Sequence, residues 1–229
     1  MSFFNILKQE FSGLKKIETA MLIFVFLVIL INAYCVKDGI VAIISAICGI
    51  MYTFYAGKGR VLCYFFGLAG SSCYSYLAFK SGLYGNVVLY MFYYIPMQIL
   101  GIFQWRKNLK KNSREIVKKC LSKKEYYITS SLAIITTILT ILILYKVGGK
   151  APITDGITTI FSIVGMYLTV RRLFEQWIVW FIVNFLSLIM WINVLITTDA
   201  KVYATAIMWA TYLLLSVYFL FEWKKEINE

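Results

Sequence analysis

Long apolar runs recur along the whole chain and are separated by short polar segments. Eight such runs are found, at about 20–36, 40–56, 61–79, 86–105, 127–145, 156–170, 176–196 and 202–222. A helix of about 20 apolar residues crosses the hydrocarbon core of a bilayer, and continuous runs disfavour a β-barrel, whose strands alternate apolar and polar positions. The pattern predicts an all-α, polytopic membrane protein with eight transmembrane helices.

The charge distribution adds an orientation to this prediction. The chain is 61% hydrophobic and carries a net charge of +12. Eighteen of its 23 Lys and Arg residues fall in the N-terminal tail and after the second, fourth, sixth and eighth runs. Because basic residues in short loops mark the cytoplasmic side, both termini are predicted to be cytoplasmic, in a cell inner membrane. These basic residues are expected to interact with the anionic headgroups of the lipid bilayer, so a nucleic-acid partner is not expected.

Two parts of the chain resemble each other weakly. Gln104-Trp105 closes the fourth run and Glu222-Trp223 closes the eighth, 118 positions later, and at 116 positions Gly49 matches Gly165. Parallel repeats of this kind build some transporters. We therefore predict two parallel three-helix repeats, joined by a linker helix and preceded by an extra N-terminal helix. The predicted divisions are 1–37 for the N-terminal segment and extra helix, 38–106 for the first repeat, 107–151 for a basic cytoplasmic loop and the linker helix, and 152–229 for the second repeat.

The seventh run carries a polar and aromatic face. Trp177, Trp180, Asn184 and Trp191 are spaced by three, four and seven residues, which places them on one side of a helix. An Asn in hydrocarbon is costly unless a partner hydrogen-bonds it. Flat rings beside a carboxamide suit an aromatic ligand that carries hydroxyls. A helix-packing stripe with a polar clasp explains the same residues, and both interpretations stay open.

The fourth and eighth runs supply further candidates. Tyr94 and Gln98 lie one helical turn apart in the fourth run, and Tyr212 takes the matching place of Tyr94 in the eighth. Together with the face of the seventh run, they suggest a pocket with aromatic walls and neutral hydrogen-bonding groups. For Gln98, an interhelical hydrogen bond and a ligand contact are both open.

The residues that are missing from the runs narrow the function. No Asp, Glu, Lys or Arg lies well inside a run, the chain has no His, and its five Cys form no CxxC pair. We therefore predict no catalytic group, no metal site, no cofactor and no enzyme activity. Ion-coupled pumps usually keep charged groups at depth, and a carrier of an organic phosphate would need Arg or Lys. A passive path for a small, unphosphorylated, aromatic solute remains.

Such a solute can also be a cation. A positive ring over Trp gains on the order of 0.5–2 kcal/mol. A singly charged permeant also gains about 2.3 kcal/mol per 100 mV from an inside-negative potential. Uniport would then accumulate the solute without a coupling ion.

The string Trp177-x2-Trp180-x3-Asn184-x6-Trp191 resembles the PnuC family of vitamin transporters, relatives of the SWEET transporters. The resemblance extends over about residues 38–225. It implies facilitated diffusion of nicotinamide riboside into the cytoplasm, where phosphorylation traps the riboside and feeds NAD synthesis. It also implies that Trp177, Trp180 and Asn184 lie in the substrate site, with Gln98 facing them from the other repeat.

Other functions stay open at this stage. Thiamine, or another vitamin or nucleoside, would suit the same type of facilitator. From a different class, the chain could be a membrane-embedded sensor or an assembly subunit whose Trp and Asn face packs on a partner helix. A homo-oligomer is also left open.

The prolines depart from the SWEET pattern of paired helix hinges. The chain has two prolines, Pro96 and Pro152, and only Pro96 is expected within a helix. Any rocking motion is therefore expected to use breaks around Gly67, Gly70 or Gly101.

Overall fold

A computed structural model of the chain describes residues 14–36, 39–80, 84–111, 113–148, 151–197 and 203–228. Within these ranges the predicted all-α architecture is confirmed, with eight helices in the predicted places. They are α1 (Lys16–Val36), α2 (Ile40–Gly57), α3 (Leu62–Lys80), α4 (Tyr84–Leu89, Tyr90–Tyr94 and Ile95–Arg106), α5 (Lys123–Lys146), α6 (Pro152–Val170), α7 (Gln176–Thr197) and α8 (Tyr203–Asn228). By length and composition, α2 and α4 to α8 contain six candidate membrane spans. The chain is a multi-pass membrane protein.

The early starts of α5 and α6, each before its apolar run, follow from the local sequence. Ser122 precedes α5, and its side chain and that of Glu125 form a reciprocal capping box, so α5 starts in polar sequence. Pro152 is the first residue of α6, where its missing N–H costs no helical hydrogen bond. Pro152 therefore lies in a helix, which corrects the expectation that only Pro96 would.

Six helices pack as a closed ring in the order α2, α3, α4, α6, α7 and α8, with α8 returning to α2. Outside this ring, α5 packs on α6, and α1 packs on α2 and α8. The ring therefore has two groups of three, α2–α4 and α6–α8, which meet where α4 touches α6 and where α8 touches α2.

The turn between α2 and α3 and the turn between α6 and α7 have the same backbone geometry. Gly59 (φ 66°) and Arg172 (φ 64°), 113 positions apart, both adopt the left-handed conformation. The next residue of each turn donates its N–H to a carbonyl five residues earlier, at 2.9 Å in the first turn and 3.0 Å in the second. At this offset Gly49 corresponds to Ser162, three positions before Gly165, and the match of Gly49 with Gly165 stays a prediction. The division into two repeats stays a prediction, which these turns support.

Two tryptophans join the groups at the same end of the ring. Trp105 of α4 donates its indole N–H to the Thr169 carbonyl of α6 at 3.0 Å. Trp223 of α8 donates its indole N–H to the Gly57 carbonyl of α2 at 2.6 Å. Both indoles are fully buried. Each meeting place of the two groups is therefore closed by an indole from the last helix of one group.

The segment between α4 and α5, which we name the strap (107–122, of which 112 is not described), crosses both groups at this end. Ile116 donates its N–H to the Gly59 carbonyl at 2.9 Å, and Lys119 donates its N–H to the Arg172 carbonyl at 3.0 Å. The Lys118 side chain lies 4.8 Å from the Trp223 ring centroid and pairs with Glu226. The strap thus binds the first group, the second group and the end of α8.

The irregular point of the helices is not at a glycine. α3 runs without a break through Gly67 and Gly70, and α4 does so through Gly101; that a rocking motion uses these positions stays a prediction. Instead α4 widens into a π-helical turn at Tyr90–Tyr94, directly before Pro96. A proline cannot donate the normal helical hydrogen bond, and a wider turn accommodates that loss.

Candidate functional site

Gln98, Asn184 and Gly49, which the Tyr212 hydroxyl contacts, lie at a similar depth in the ring. Gln98 comes eight residues before the end of α4, Asn184 eight residues after the start of α7, and Gly49 eight residues before the end of α2. At 1.5 Å per residue, each lies about 12 Å from the strap end of its helix. Because the hydrocarbon core is about 30 Å thick, this depth is close to its middle.

Gln98 is buried with part of its carboxamide unused. Its side chain is 3% exposed, and Nε2 donates to Ser71 Oγ of α3 at 2.9 Å. Its Oε1 has no hydrogen-bond partner among the described residues. A Cβ at Gly67 would lie 3.0 Å from the carboxamide and 2.8 Å from the Tyr52 ring, so the missing side chain makes room for both. Gln98 therefore offers a free acceptor at mid-depth.

Asn184 connects α7 to α8. Its side chain is 5% exposed, and Nδ2 donates to the Tyr212 backbone carbonyl at 3.1 Å. The Tyr212 hydroxyl lies against the neighbouring helix α2, where it occupies the space that a side chain at Gly49 would take. The donor end of the Asn184 carboxamide is thus engaged between helices.

The tryptophans of the seventh run do not share one environment. Trp177 is 1% exposed, packs on the rings of Phe219 and Trp223 of α8, at 5.3 and 5.7 Å between centroids, and its Nε1 has no partner among the described residues. Trp180 faces α6, where its Nε1 donates to Thr169 Oγ1 at 3.1 Å. Trp191 is half-buried, seven residues beyond Asn184.

Tyr94 belongs to a group of tyrosines where α4 meets α6. Its ring centroid lies 4.8 Å from that of Tyr90 and 5.6 Å from that of Tyr93, and its side chain is beside Ser162. The Tyr93 hydroxyl donates to the Ile163 carbonyl at 2.6 Å. The π-helical turn of α4 therefore presents adjacent tyrosines to α6.

Three residues of this cluster were not predicted from the sequence. Ser71 accepts from Gln98, Thr169 accepts from Trp180, and the Tyr52 hydroxyl donates to Met166 Sδ at 3.3 Å. A signal for Ser71 does exist, because at the offset of 113 set by the turns it corresponds to Asn184. Aligning the repeats on these turns would have identified Ser71 as the counterpart of a candidate site residue.

The middle of the ring is uncharged in the part of the chain that the structure describes. Among the described residues, three with charged side chains are buried, and all of them lie near the strap end of the ring: Glu18, Arg60 and Arg172. Glu18 pairs with Lys58 at 2.8 Å, and the two arginines lie in the turns after α2 and α6. The described residues contain no group of three or more His, Cys, Asp or Glu side chains suited to a metal ion. The cluster can hold a neutral or cationic aromatic solute through carboxamides and ring faces.

Comparisons with known proteins identify the relatives of this chain. A family model described as nicotinamide mononucleotide transporter matches residues 39–225. The nicotinamide riboside transporter PnuC of Haemophilus influenzae is 33% identical over 226 residues, covering 97% of this chain and 96% of that protein. The PnuC of Neisseria mucosa is 30% identical over 195 residues, covering 83% and 74%. A solved structure titled "Crystal structure of the Vitamin B3 transporter PnuC" has a TM-score of 0.84 and 28% identity, and covers 100% of this chain and 99% of its own.

Proposed function

This chain belongs to the PnuC family of nicotinamide riboside transporters, and from that premise we propose that it carries nicotinamide riboside into the cytoplasm by facilitated diffusion and feeds NAD synthesis. The observation that carries the proposal is the pair of buried carboxamides, Gln98 and Asn184, at one depth among aromatic rings. Nicotinamide riboside has a cationic aromatic ring and an uncharged ribose. Ring faces suit the first part, and carboxamide oxygens suit the hydroxyls of the second.

The riboside fits this cluster better than the mononucleotide does. A phosphate group in a low-dielectric interior requires Arg or Lys, usually with more than one hydrogen bond. The buried arginines among the described residues, Arg60 and Arg172, lie in turns near the strap and not at the depth of Gln98. The mononucleotide would bring its negatively charged phosphate to mid-depth without an Arg or Lys to pair with it, whereas the cationic ring of the riboside can lie against aromatic faces.

The proposed substrate site combines candidates from both groups of helices. Gln98 and Tyr94 contribute from α4, and Trp180 and Asn184 contribute from α7. Tyr212 closes the site from α8, next to Gly49. Trp177 forms the wall on the strap side, because its ring is fixed against Phe219 and Trp223, and Trp191 forms the wall on the opposite side.

The proposed transporter has two parallel three-helix repeats in the inner membrane, α2–α4 and α6–α8. In this proposal α5 is the linker helix and α1 is the extra N-terminal helix. Both termini and the strap lie in the cytoplasm. The matching turns after Gly59 and Arg172 support the repeats. The basic residues of the strap support the orientation.

Binding to the purified protein tests the substrate. We expect nicotinamide riboside to quench the tryptophan fluorescence of the detergent-purified chain with saturation, and thiamine to do so at least about tenfold more weakly. Thiamine has a cationic thiazolium but lacks the cluster of ribose hydroxyls that would pair with the two carboxamides. Quenching by thiamine at equal or lower concentration would indicate thiamine as the substrate. The proposal that the chain is a facilitator would be unaffected.

Uptake into liposomes that contain only this chain tests the mechanism. We expect nicotinamide riboside to enter without a proton or sodium gradient, because the mid-depth cluster is uncharged among the described residues. An imposed inside-negative potential should increase accumulation, since the permeant is a cation. Loss of uptake on adding a protonophore at a clamped potential would contradict uniport. Absence of uptake in the presence of binding would favour a sensor or an assembly subunit.

A further inference from the structure

A second site lies outside the mid-depth cluster, where the strap meets the ends of α4 and α6 and the start of α5. It is a cavity of about 280 Å³, and its polar lining includes Gln104, Lys119, Glu125, Arg171 and Arg172. Small-ligand sites range from roughly 300 to 1,000 Å³, so this cavity, close to the lower end, suits only a compact group.

The lining of the cavity has three basic side chains and one carboxylate, and the nearby Glu175 carboxylate, which accepts the Leu121 N–H at 3.0 Å, is not part of the lining. Arg171 Nη2 pairs with Glu125 Oε1 at 2.7 Å, and this pair accounts for one cation. Arg172 and Lys119 have no ion pair with a carboxylate in the described part of the chain. Two positive charges are therefore left on the lining.

Arg172 is the more unusual of these cations. Its side chain is only 6% exposed, Nη1 donates to the Val117 carbonyl at 2.8 Å, and its Nε has no hydrogen-bond partner among the described residues. Burial lowers the pKa of the Arg172 guanidinium, because desolvation penalises the charged form. A buried cation with a missing partner is costly unless an anion compensates it.

We propose that this cavity binds a phosphate group, supplied either by a phosphate-bearing small molecule or by the headgroup of an anionic lipid. Guanidinium and ammonium groups are the side chains that recognise phosphate, and two of them here are without a carboxylate. The ligand also has a mechanical effect. Lys119 bonds through its backbone to Arg172 and Phe174, at 3.0 and 2.7 Å, so an anion between the two cations holds the strap on the second group of helices.

The test compares thermal unfolding of the full chain in detergent, with inorganic phosphate and with chloride at equal ionic strength. We expect phosphate to raise the unfolding temperature of the wild type with saturation. Lys119→Gln should weaken the phosphate affinity about tenfold, the effect of losing one charge-assisted hydrogen bond. This variant keeps the strap, because the strap bonds of Lys119 are made by its backbone. Lys224→Gln, an exposed lysine of α8 that does not line the cavity, should respond as the wild type does.

A parallel arm replaces phosphate with phosphatidylglycerol added to the same detergent. A rise in unfolding temperature with the lipid alone, reduced by Lys119→Gln and not by Lys224→Gln, would identify the headgroup as the source. A rise with phosphate that follows the same pattern would identify a free small molecule. The proposal is overturned if neither addition stabilises the wild type, or if Lys119→Gln responds as fully as Lys224→Gln.

Discussion

Asn184→Leu and Gln98→Leu should each lower the initial rate of nicotinamide riboside uptake by about tenfold or more per folded molecule. Leucine has as many side-chain heavy atoms as asparagine and one fewer than glutamine, so the branched shape is largely kept while the polar atoms are removed. An unmade hydrogen bond to a substrate hydroxyl costs about 1–3 kcal/mol, and 1.4 kcal/mol is a factor of ten. Uptake into liposomes, normalised to the folded protein measured by size-exclusion chromatography, checks both variants.

Both side chains also form hydrogen bonds between helices, and a purely structural role would give a different result. Gln98 also bonds Ser71, and Asn184 also bonds the Tyr212 carbonyl. Interhelical hydrogen bonds of this kind average only about 0.6 kcal/mol in membrane proteins, too little to unfold the chain alone. Asn193→Leu is the matched control, because it is the same change on the same helix at an exposed position. Unchanged uptake per folded molecule in Asn184→Leu would identify Asn184 as a clasp between helices.

The helices could be predicted from the sequence because the bilayer selects for them directly. An apolar run long enough to span the hydrocarbon must hydrogen-bond its own backbone, so length and hydropathy determine each helix with little help from tertiary contacts. The apolar runs predict the starts of α5 and α6 a few residues too late, because Ser122, Glu125 and Pro152 extend these helices into polar sequence. Hydropathy does not register such capping.

The candidate site could be predicted only where a residue is unusual for its surroundings. Asn184 and Gln98 stand out in hydrocarbon, whereas Ser71 and Thr169 are common in transmembrane helices and carry no such signal. Finding Ser71 requires the offset between the two groups of helices, and that offset is not constant along the chain. α7 is 22 residues long against 19 for α3, so an offset that fits the closing tryptophans fails at the earlier turns.

The stripe of the seventh run shows what a face on one helix cannot predict. Periodicity places Trp177, Trp180 and Asn184 on one side, but that side borders two neighbouring helices. Trp180 hydrogen-bonds to α6 while Trp177 packs on α8, because α7 lies between these two helices in the ring. Which neighbour each side chain meets is decided by the ring order, and helical spacing holds no information on that order.

Gly57→Ala is expected to lower the free energy of unfolding by about 1–3 kcal/mol, the usual cost of overpacking a filled core. Gly57 is buried at the end of α2, and a Cβ there would overlap the Phe219 ring of α8. The Phe219 ring cannot move away easily, because it is packed between the rings of Phe54 and Trp177, with centroid distances of 5.9 and 5.3 Å. The same change would strain the bond from Trp223 to the Gly57 carbonyl. Chemical unfolding of the purified protein in mixed micelles, followed by tryptophan fluorescence, measures the effect.

The matched control is Gly39→Ala, the same substitution just before the other end of α2. A Cβ at Gly39 meets nothing within 4 Å, and its φ of −68° suits any residue, so its unfolding free energy should change by less than about 0.5 kcal/mol. An equal, small effect of both variants would mean that α2 and α8 are not in tight contact at Gly57. A large effect of Gly57→Ala alone would mean that the closure of the ring depends on the close approach of these two helices. Because Phe219 also supports Trp177, the displaced ring should then reduce uptake along with stability.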